Sequence, residues 1–128
     1  MSWDPIHLVH RVGVVALIAF LCHPASAQNT PAPEQQLVEA ERLVWLKAWT
    51  KAEPLFAAAA RAFAARGDKR NALYAHINAL RGQLPRLPVP EVSERLANHL
   101  EDPLVLADER LRLRTLIIKG ETDEDLDP

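Results

Sequence analysis

A glycine–aspartate pair, Gly67-Asp68, separates two helical patterns within residues 50–84 and limits the possible folds more than any other feature. Glycine takes up the left-handed conformation that ends a helix without strain, and aspartate caps the start of the next helix. Before the pair, Phe56 and Phe63 lie on an alanine-rich helical face, and a second apolar helical face follows it. Because about two residues join the helices, we predict an antiparallel hairpin that buries both phenylalanines.

The composition favours one small all-α domain. The chain has 128 residues, of which 48% are hydrophobic and 25% charged, as in a typical globular protein. Aromatic residues make up only 5%, and alanine and leucine dominate, whereas a sheet would need more valine, isoleucine and aromatic residues. We therefore predict about five helices, packed as antiparallel hairpins that stack into a short solenoid. The alternative is a closed helical bundle.

The first 27 residues follow the plan of a secretory signal peptide. An apolar run at residues 12–21 is followed by an A-x-A cleavage signal at residues 25–27. The run is too short for a comfortable membrane span, so we expect cleavage after Ala27, no stable span in the mature chain, and a periplasmic or secreted product. One alternative is a lipoprotein signal at Cys22, although no small residue precedes that cysteine. The other is an uncleaved N-terminal anchor.

The chain after the signal peptide divides by composition into a linker, a helical domain and a tail. We predict a signal peptide over 1–27, a disordered proline-rich linker over 28–33, a helical domain over 34–120 and an acidic disordered tail over 121–128. The first helix should run to about Ala48, and the last should start after an Asp102 cap and stop at Gly120.

The mature chain offers no set of residues suited to catalysis or to a cofactor. It has one serine, Ser93, two histidines, His76 and His99, and no cysteine. Ser93 lies in a helical pattern without the glycine elbow of a hydrolase, and a nucleophile also needs a base and an orienting group. Two histidines far apart in sequence fall short of the three or four ligands of a metal site. We predict a non-catalytic protein with no metal or cofactor.

The charge distribution argues against a nucleic-acid partner. Residues 28–120 carry fourteen lysines and arginines against eleven aspartates and glutamates, a mild excess that is scattered along the chain. A nucleic-acid surface needs basic residues clustered on one face. We therefore expect a protein or peptide partner.

Ala52, Phe56 and Ala59 match the A-x3-F part of the tetratricopeptide repeat pattern. Three stretches, residues 45–75, 87–105 and 110–128, are similar to the N-terminal segment of bacterial tetratricopeptide (TPR) proteins. In those proteins further repeats follow, and sometimes a CHAT-type peptidase domain. The resemblance implies a TPR-like stack of hairpins and an exported scaffold that binds proteins or peptides, as a piece of a longer repeat protein. The alternative is a small periplasmic helical-bundle ligand binder or enzyme.

Aromatic and apolar residues on the helices supply the candidate contacts with a partner. We interpret Trp45 and Trp49 as core residues that fill the corner between the first two helices, and the alternative is that one of them lines a groove. His76 falls on an apolar face and is interpreted as a core or groove residue. The candidate binding residues are Trp45, Trp49, Tyr74, His76, Leu106 and Leu113.

The last predicted helix carries apolar residues on more than one side. Its expected buried stripe is Leu104, Ala107 and Leu111, and Leu106 and Leu113 lie away from that stripe. An uncovered apolar face is an interaction surface. We therefore expect the isolated chain to self-associate through this helix.

Overall fold

The computed structural model describes residues 30–126, and all regular secondary structure in that range is helical. The predicted signal peptide and its cleavage site lie outside the described residues. The helices are α1 (Pro33–Trp45), α2 (Trp49–Ala65), α3 (Lys69–Arg81), α4 (Val89–Leu100), α5 (Pro103–Ala107) and α6 (Glu109–Asp123). The predicted all-α class is confirmed for this part of the chain, and the repeat geometry of a solenoid stays a prediction.

The turn between α2 and α3 has the predicted chemistry. Gly67 is left-handed, with φ of 76°. The amide of Asp68 donates to the carbonyl of Phe63 at 3.0 Å, which closes the last turn of α2 as a Schellman motif does. The Asp68 carboxylate then accepts from the Asn71 amide at 3.1 Å and caps α3.

A second turn of the same kind ends α1 earlier than predicted. Lys47 is left-handed, with φ of 57°, and its amide donates to Val44 O at 2.8 Å. The amide of Ala48 donates to Leu43 O at 2.9 Å, which completes a Schellman motif without glycine. The predicted end at Ala48 is therefore wrong. The linker also ends early, because Pro33 is buried as the first residue of α1.

Two apolar clusters share α3 as their common wall. One fills the space between α1, α2 and α3 and contains both Phe56 and Phe63, so their predicted burial is confirmed. The other joins α3 to α4, α5 and α6. Helix α3 contributes Ala75 and Ala79 to the first cluster, and Ile77 and Leu80 to the second. This places α3 at the centre of the molecule, with α1 on one side and α6 on the other.

The predicted single helix after Asp102 is wrong, because the chain breaks at Asp108. Asp102 caps α5 as expected, by accepting from the Leu104 amide at 2.8 Å. Asp108 is extended, and its carboxylate accepts from the Leu111 amide at 2.9 Å, which starts α6. The break rotates the buried face, so Leu104 and Ala107 are exposed and only Leu111 of the expected stripe is buried. The inward residues of α6 are Leu111, Thr115, Ile118 and Thr122.

The predicted stop at Gly120 is also wrong, because α6 runs through it to Asp123. The Thr122 side chain is fully buried, and its hydroxyl donates to Ile118 O at 2.8 Å. Asp125 forms an ion pair with Arg81 of α3. Residues 121–126 are therefore helix and turn held against α3, and not the predicted disordered tail.

Candidate binding groove

An open groove lies over α3 and is walled by α1 and α6; we call it the α3 groove. It consists of two adjoining depressions of about 600 and 480 Å³, which share Glu41, Tyr74 and Arg114. The first depression is also lined by Val44, Trp45, Lys47 and Glu121. The second is also lined by Leu37, Arg70, Asn71, Arg110, Leu113 and Ile117.

The floor of the α3 groove is a tyrosine held by a carboxylate from the opposite wall. The Tyr74 hydroxyl donates to Glu41 Oε1 of α1 at 2.7 Å. Burial, followed by the hydrogen bond and negative charge of Glu41, raises the pKa of Tyr74 to about 12. Tyr74 is therefore neutral and a hydrogen-bond donor throughout the physiological range, and Glu41 is already engaged.

A buried asparagine fixes an arginine of the other wall. Asn78 is fully buried, and its Nδ2 donates to Tyr74 O at 2.8 Å. Its Oδ1 accepts from Arg114 Nε at 2.8 Å. This bond uses Nε, while the terminal nitrogens of Arg114, which lines both depressions of the α3 groove, make no hydrogen bond within residues 30–126. Within residues 30–126, no carboxylate forms an ion pair with Arg114.

The other cations of the α3 groove differ in how they are neutralised. Arg70 of α3 forms an ion pair with Asp108, and this hydrogen bond, with the Leu111 amide, lowers the pKa of the Asp108 carboxyl. Arg110 lies one helical turn before Arg114 and makes no ion pair in the described part of the chain. The lining therefore has four cationic side chains and two carboxylates, and its two unpaired guanidinium groups are on α6.

Trp45 lies at the mouth of the α3 groove and is 87% exposed, so the interpretation of Trp45 as a core residue is wrong. It is the last residue of α1, and the left-handed turn that follows carries the chain away before any helix can cover the indole. Trp49 differs, because it is half-buried against the second apolar cluster. The alternative interpretation, in which one tryptophan lines a groove, fits Trp45.

The remaining candidate residues fall into separate places. Leu113 is 57% exposed and lines the α3 groove, while Leu106 on α5 is 56% exposed and lies outside it. His76 also lies outside the groove and is not buried in the core, so its interpretation as a core or groove residue is wrong. Of the predicted contacts, the structure therefore brings Trp45, Tyr74 and Leu113 together.

His76 and His99, which the sequence places far apart, are neighbours in space. Their rings meet edge to face with centroids 5.2 Å apart, across the contact between α3 and α4. Burial lowers the pKa of both imidazoles; Arg95 adds to the effect on His76, and His76 adds to the effect on His99. No cluster of three or more histidine, cysteine or acidic residues suited to a metal ion occurs between residues 30 and 126.

Ser93 has two side-chain hydrogen-bond partners, Asp123 and Lys119. Its hydroxyl donates to Asp123, and Lys119 Nζ donates to Ser93 Oγ at 3.3 Å. Lys119 and Ser93 lower the pKa of Asp123, which makes that carboxylate a weak base. The trio ties α4 to α6 and lies outside the lining of the α3 groove.

Sequence reasoning missed Glu41, Asn78 and Arg114, although part of the signal was present. Arg110 and Arg114 share one face of a helix at a step of four residues, and Glu121, seven residues further on, joins that face only because α6 continues past the predicted stop at Gly120.

No protein-family model, curated protein or solved structure shows a significant match to the chain. No helix in residues 30–126 is both long enough and apolar enough to cross a bilayer.

Proposed function

We propose that this protein is an exported, non-catalytic binding module whose α3 groove receives a segment of a protein partner. The observation that carries the proposal is Trp45, a largely exposed indole at the mouth of a groove built by three helices. Tryptophan is among the residues that contribute most to protein interfaces, because a large apolar area is buried at small entropic cost. Solvent exposure of such a side chain costs free energy that a partner would recover.

The lining of the α3 groove supports a peptide occupant. Leu37, Val44, Leu113 and Ile117 supply apolar contacts along the walls, while Tyr74 and Arg114 supply fixed polar groups between them. An extended or helical segment presents this alternation of apolar and polar side chains. The groove is open along its length, which suits a segment of chain better than an enclosed small molecule.

The tetratricopeptide architecture and the export of the chain belong to the same proposal. The three residues of the repeat pattern, Ala52, Phe56 and Ala59, are all fully buried where α2 packs between its neighbours, which supports the repeat interpretation. Export is supported by the apolar run and the A-x-A signal in the first 27 residues. N-terminal sequencing of the product from a producing cell should begin at Gln28; a cytosolic protein that begins at Met1 would contradict export.

The binding proposal can be tested by selecting peptides from a random displayed library on the mature chain. Affinity of the selected peptides is then measured by fluorescence anisotropy for the wild type and for Trp45→Ala, which removes the indole. We expect Trp45→Ala to weaken binding at least tenfold, since loss of an interface tryptophan commonly costs 2 kcal/mol or more.

Val38→Ala is the matched control, because Val38 is an exposed apolar residue of α1 outside the α3 groove. The Val38→Ala variant should bind the selected peptides with the same affinity as the wild type does. Selected peptides that bind Trp45→Ala as tightly as the wild type would place the binding surface elsewhere. Failure to select any peptide, with a thermal shift caused by a small molecule, would favour the ligand-binding alternative.

A further inference from the structure

Resting on the proposed binding function, the geometry points to the chemistry of the partner segment: we propose that the α3 groove takes an acidic segment with apolar side chains, and that Arg114 holds one of its carboxylates. Arg114 combines a fixed position with the lack of an ion-pair partner in residues 30–126. Both properties follow from the packing of α3 against α6.

Arg114 is held in place before any ligand arrives. Asn78 accepts from Arg114 Nε at 2.8 Å, and Asn78 is itself fixed by its bond to Tyr74 O and by complete burial. Ordering a free arginine side chain on binding costs conformational entropy, and that cost has already been met in the folded protein. The terminal nitrogens that remain have the fork geometry that matches a carboxylate.

No carboxylate of residues 30–126 forms an ion pair with this guanidinium, although Glu121 lines the same depression. Within the described residues Arg114 and Arg110 form no ion pair, although six of the ten arginines there do. Glu41 is the acidic residue shared by both depressions, and its Oε1 accepts from Tyr74. A partner carboxylate would therefore meet two cations on successive turns of α6 without displacing an internal ion pair.

The surroundings of the two arginines favour a peptide over a nucleic acid. Leu113 and Ile117 lie between and beside them on α6, and Leu37 faces them from α1. A phosphate backbone gains nothing from these apolar contacts, and the chain as a whole carries a net charge of −2. An acidic segment whose apolar side chains alternate with its carboxylates uses both kinds of contact.

The test compares peptides and protein variants in one anisotropy titration. Peptides selected on the wild type are synthesised again with every Asp changed to Asn and every Glu to Gln, so that size is kept and charge is lost. We expect the amide peptides to bind at least tenfold more weakly at low salt. Binding of the acidic peptides should weaken as NaCl rises from 50 to 500 mM, because salt screens the charges.

The protein variants locate the effect. Arg114→Gln and Arg110→Gln should each reduce the preference for the acidic peptide over its amide form, whereas Arg112→Gln should leave it unchanged. Arg112 is the matched control, since it is exposed on the same helix and outside the lining of the α3 groove. The Arg110 side chain makes no hydrogen bond or ion pair within residues 30–126, so Arg110→Gln keeps the test valid if Arg114→Gln unfolds the protein.

The outcomes separate this inference from the proposed function. Peptides that depend on Trp45 but are neutral or basic would overturn the acidic partner and leave the binding module standing. Peptides that do not depend on Trp45 would overturn both. Tighter binding of a single-stranded RNA oligonucleotide than of any acidic peptide, with loss in Arg114→Gln, would also overturn the inference, because it would identify phosphate as the preferred anion.

Discussion

Gly82 offers the sharpest test of how closely α2 and α3 approach. It follows the last residue of α3 with φ of −71° and ψ of −9°, a conformation open to any residue. A Cβ at this position would lie 2.4 Å from Glu53 Cβ and 2.7 Å from Trp49 O, both near the start of α2. Neither atom is the end of a flexible side chain, so Gly82→Ala must push the helix ends apart.

The net cost can be worked out from two opposing terms. Overpacking of a closely packed contact costs about 1–3 kcal/mol. Replacing glycine by alanine also lowers the conformational entropy of the unfolded chain, which stabilises the folded protein by roughly 0.4–1 kcal/mol where the backbone conformation is compatible. The middles of these ranges, about 2 and about 0.7 kcal/mol, differ by about 1.3 kcal/mol, so we expect Gly82→Ala to lower the free energy of unfolding by about 1–2 kcal/mol.

Gly120 provides a control for the effect of replacing glycine by alanine where no overpacking occurs. Gly120 lies inside α6, and a Cβ there would meet nothing within 4 Å. Gly120→Ala should therefore raise the free energy of unfolding by about 0.5–1 kcal/mol. Urea denaturation followed by tryptophan fluorescence measures both. If Gly82→Ala is as stable as the wild type while Gly120→Ala is more stable, the close approach of α2 and α3 is refuted.

Three further predictions concern the core, the histidines and the exposed leucines. Phe63→Ala should cost about 3–5 kcal/mol, because it opens a cavity in the first apolar cluster; an unchanged urea midpoint would show that Phe63 is not buried. Burial lowers the pKa of His76 and His99 in the folded protein, so the unfolded chain takes up protons at a higher pH than the folded protein does. The free energy of unfolding should therefore keep its full value above pH 6.5 and fall as the pH drops below it. Replacing both His76 and His99 by Asn should reduce this dependence of the free energy of unfolding on pH, measured by urea titrations at pH 7.5 and 5. The same pH dependence in the variant and the wild type would contradict a role of the two histidines. Leu106→Lys and Leu113→Lys together should reduce self-association in light scattering across a concentration series; a wild-type monomer with no gain in solubility on substitution would contradict an apolar contact surface.

The turn between α2 and α3 could be predicted because it depends on neighbouring residues alone. Gly67 supplies the left-handed conformation and Asp68 the cap, and both act whatever packs around them. The predicted Asp102 cap at the start of α5 is confirmed for the same reason. The early end of α1 was not predicted, because Lys47 occupies the left-handed position where sequence rules expect glycine.

The α3 groove could be predicted only in part, because its network joins residues that are distant in sequence. Trp45, Tyr74 and Leu113 were candidates because aromatic and apolar residues are recognisable one at a time. Glu41 meets Tyr74 across 33 positions, and Arg114 meets Asn78 across 36. No local pattern specifies those pairs, since they exist only once α1 and α6 pack on either side of α3.

Asp108 connects the missed helix break to the charge of the α3 groove. Its carboxylate caps α6 through the Leu111 amide and pairs with Arg70. Asp108→Asn keeps an N-cap side chain and removes the ion pair, so it should cost under about 1 kcal/mol. Asp108→Ala removes both and should cost about 0.5–2 kcal/mol more, measured by urea denaturation.

Loss of the Asp108 carboxylate should change the affinity for an acidic peptide in the opposite direction to stability. Without the Asp108 carboxylate, the positive charge of Arg70 in the lining of the α3 groove has no counter-ion. Asp108→Asn should therefore bind an acidic peptide more tightly than the wild type does, most clearly at low salt. Stability and affinity would then move apart in a single substitution. If affinity instead falls with stability, Asp108 acts by holding α6 in place, and the charge of Arg70 plays no part in the binding surface.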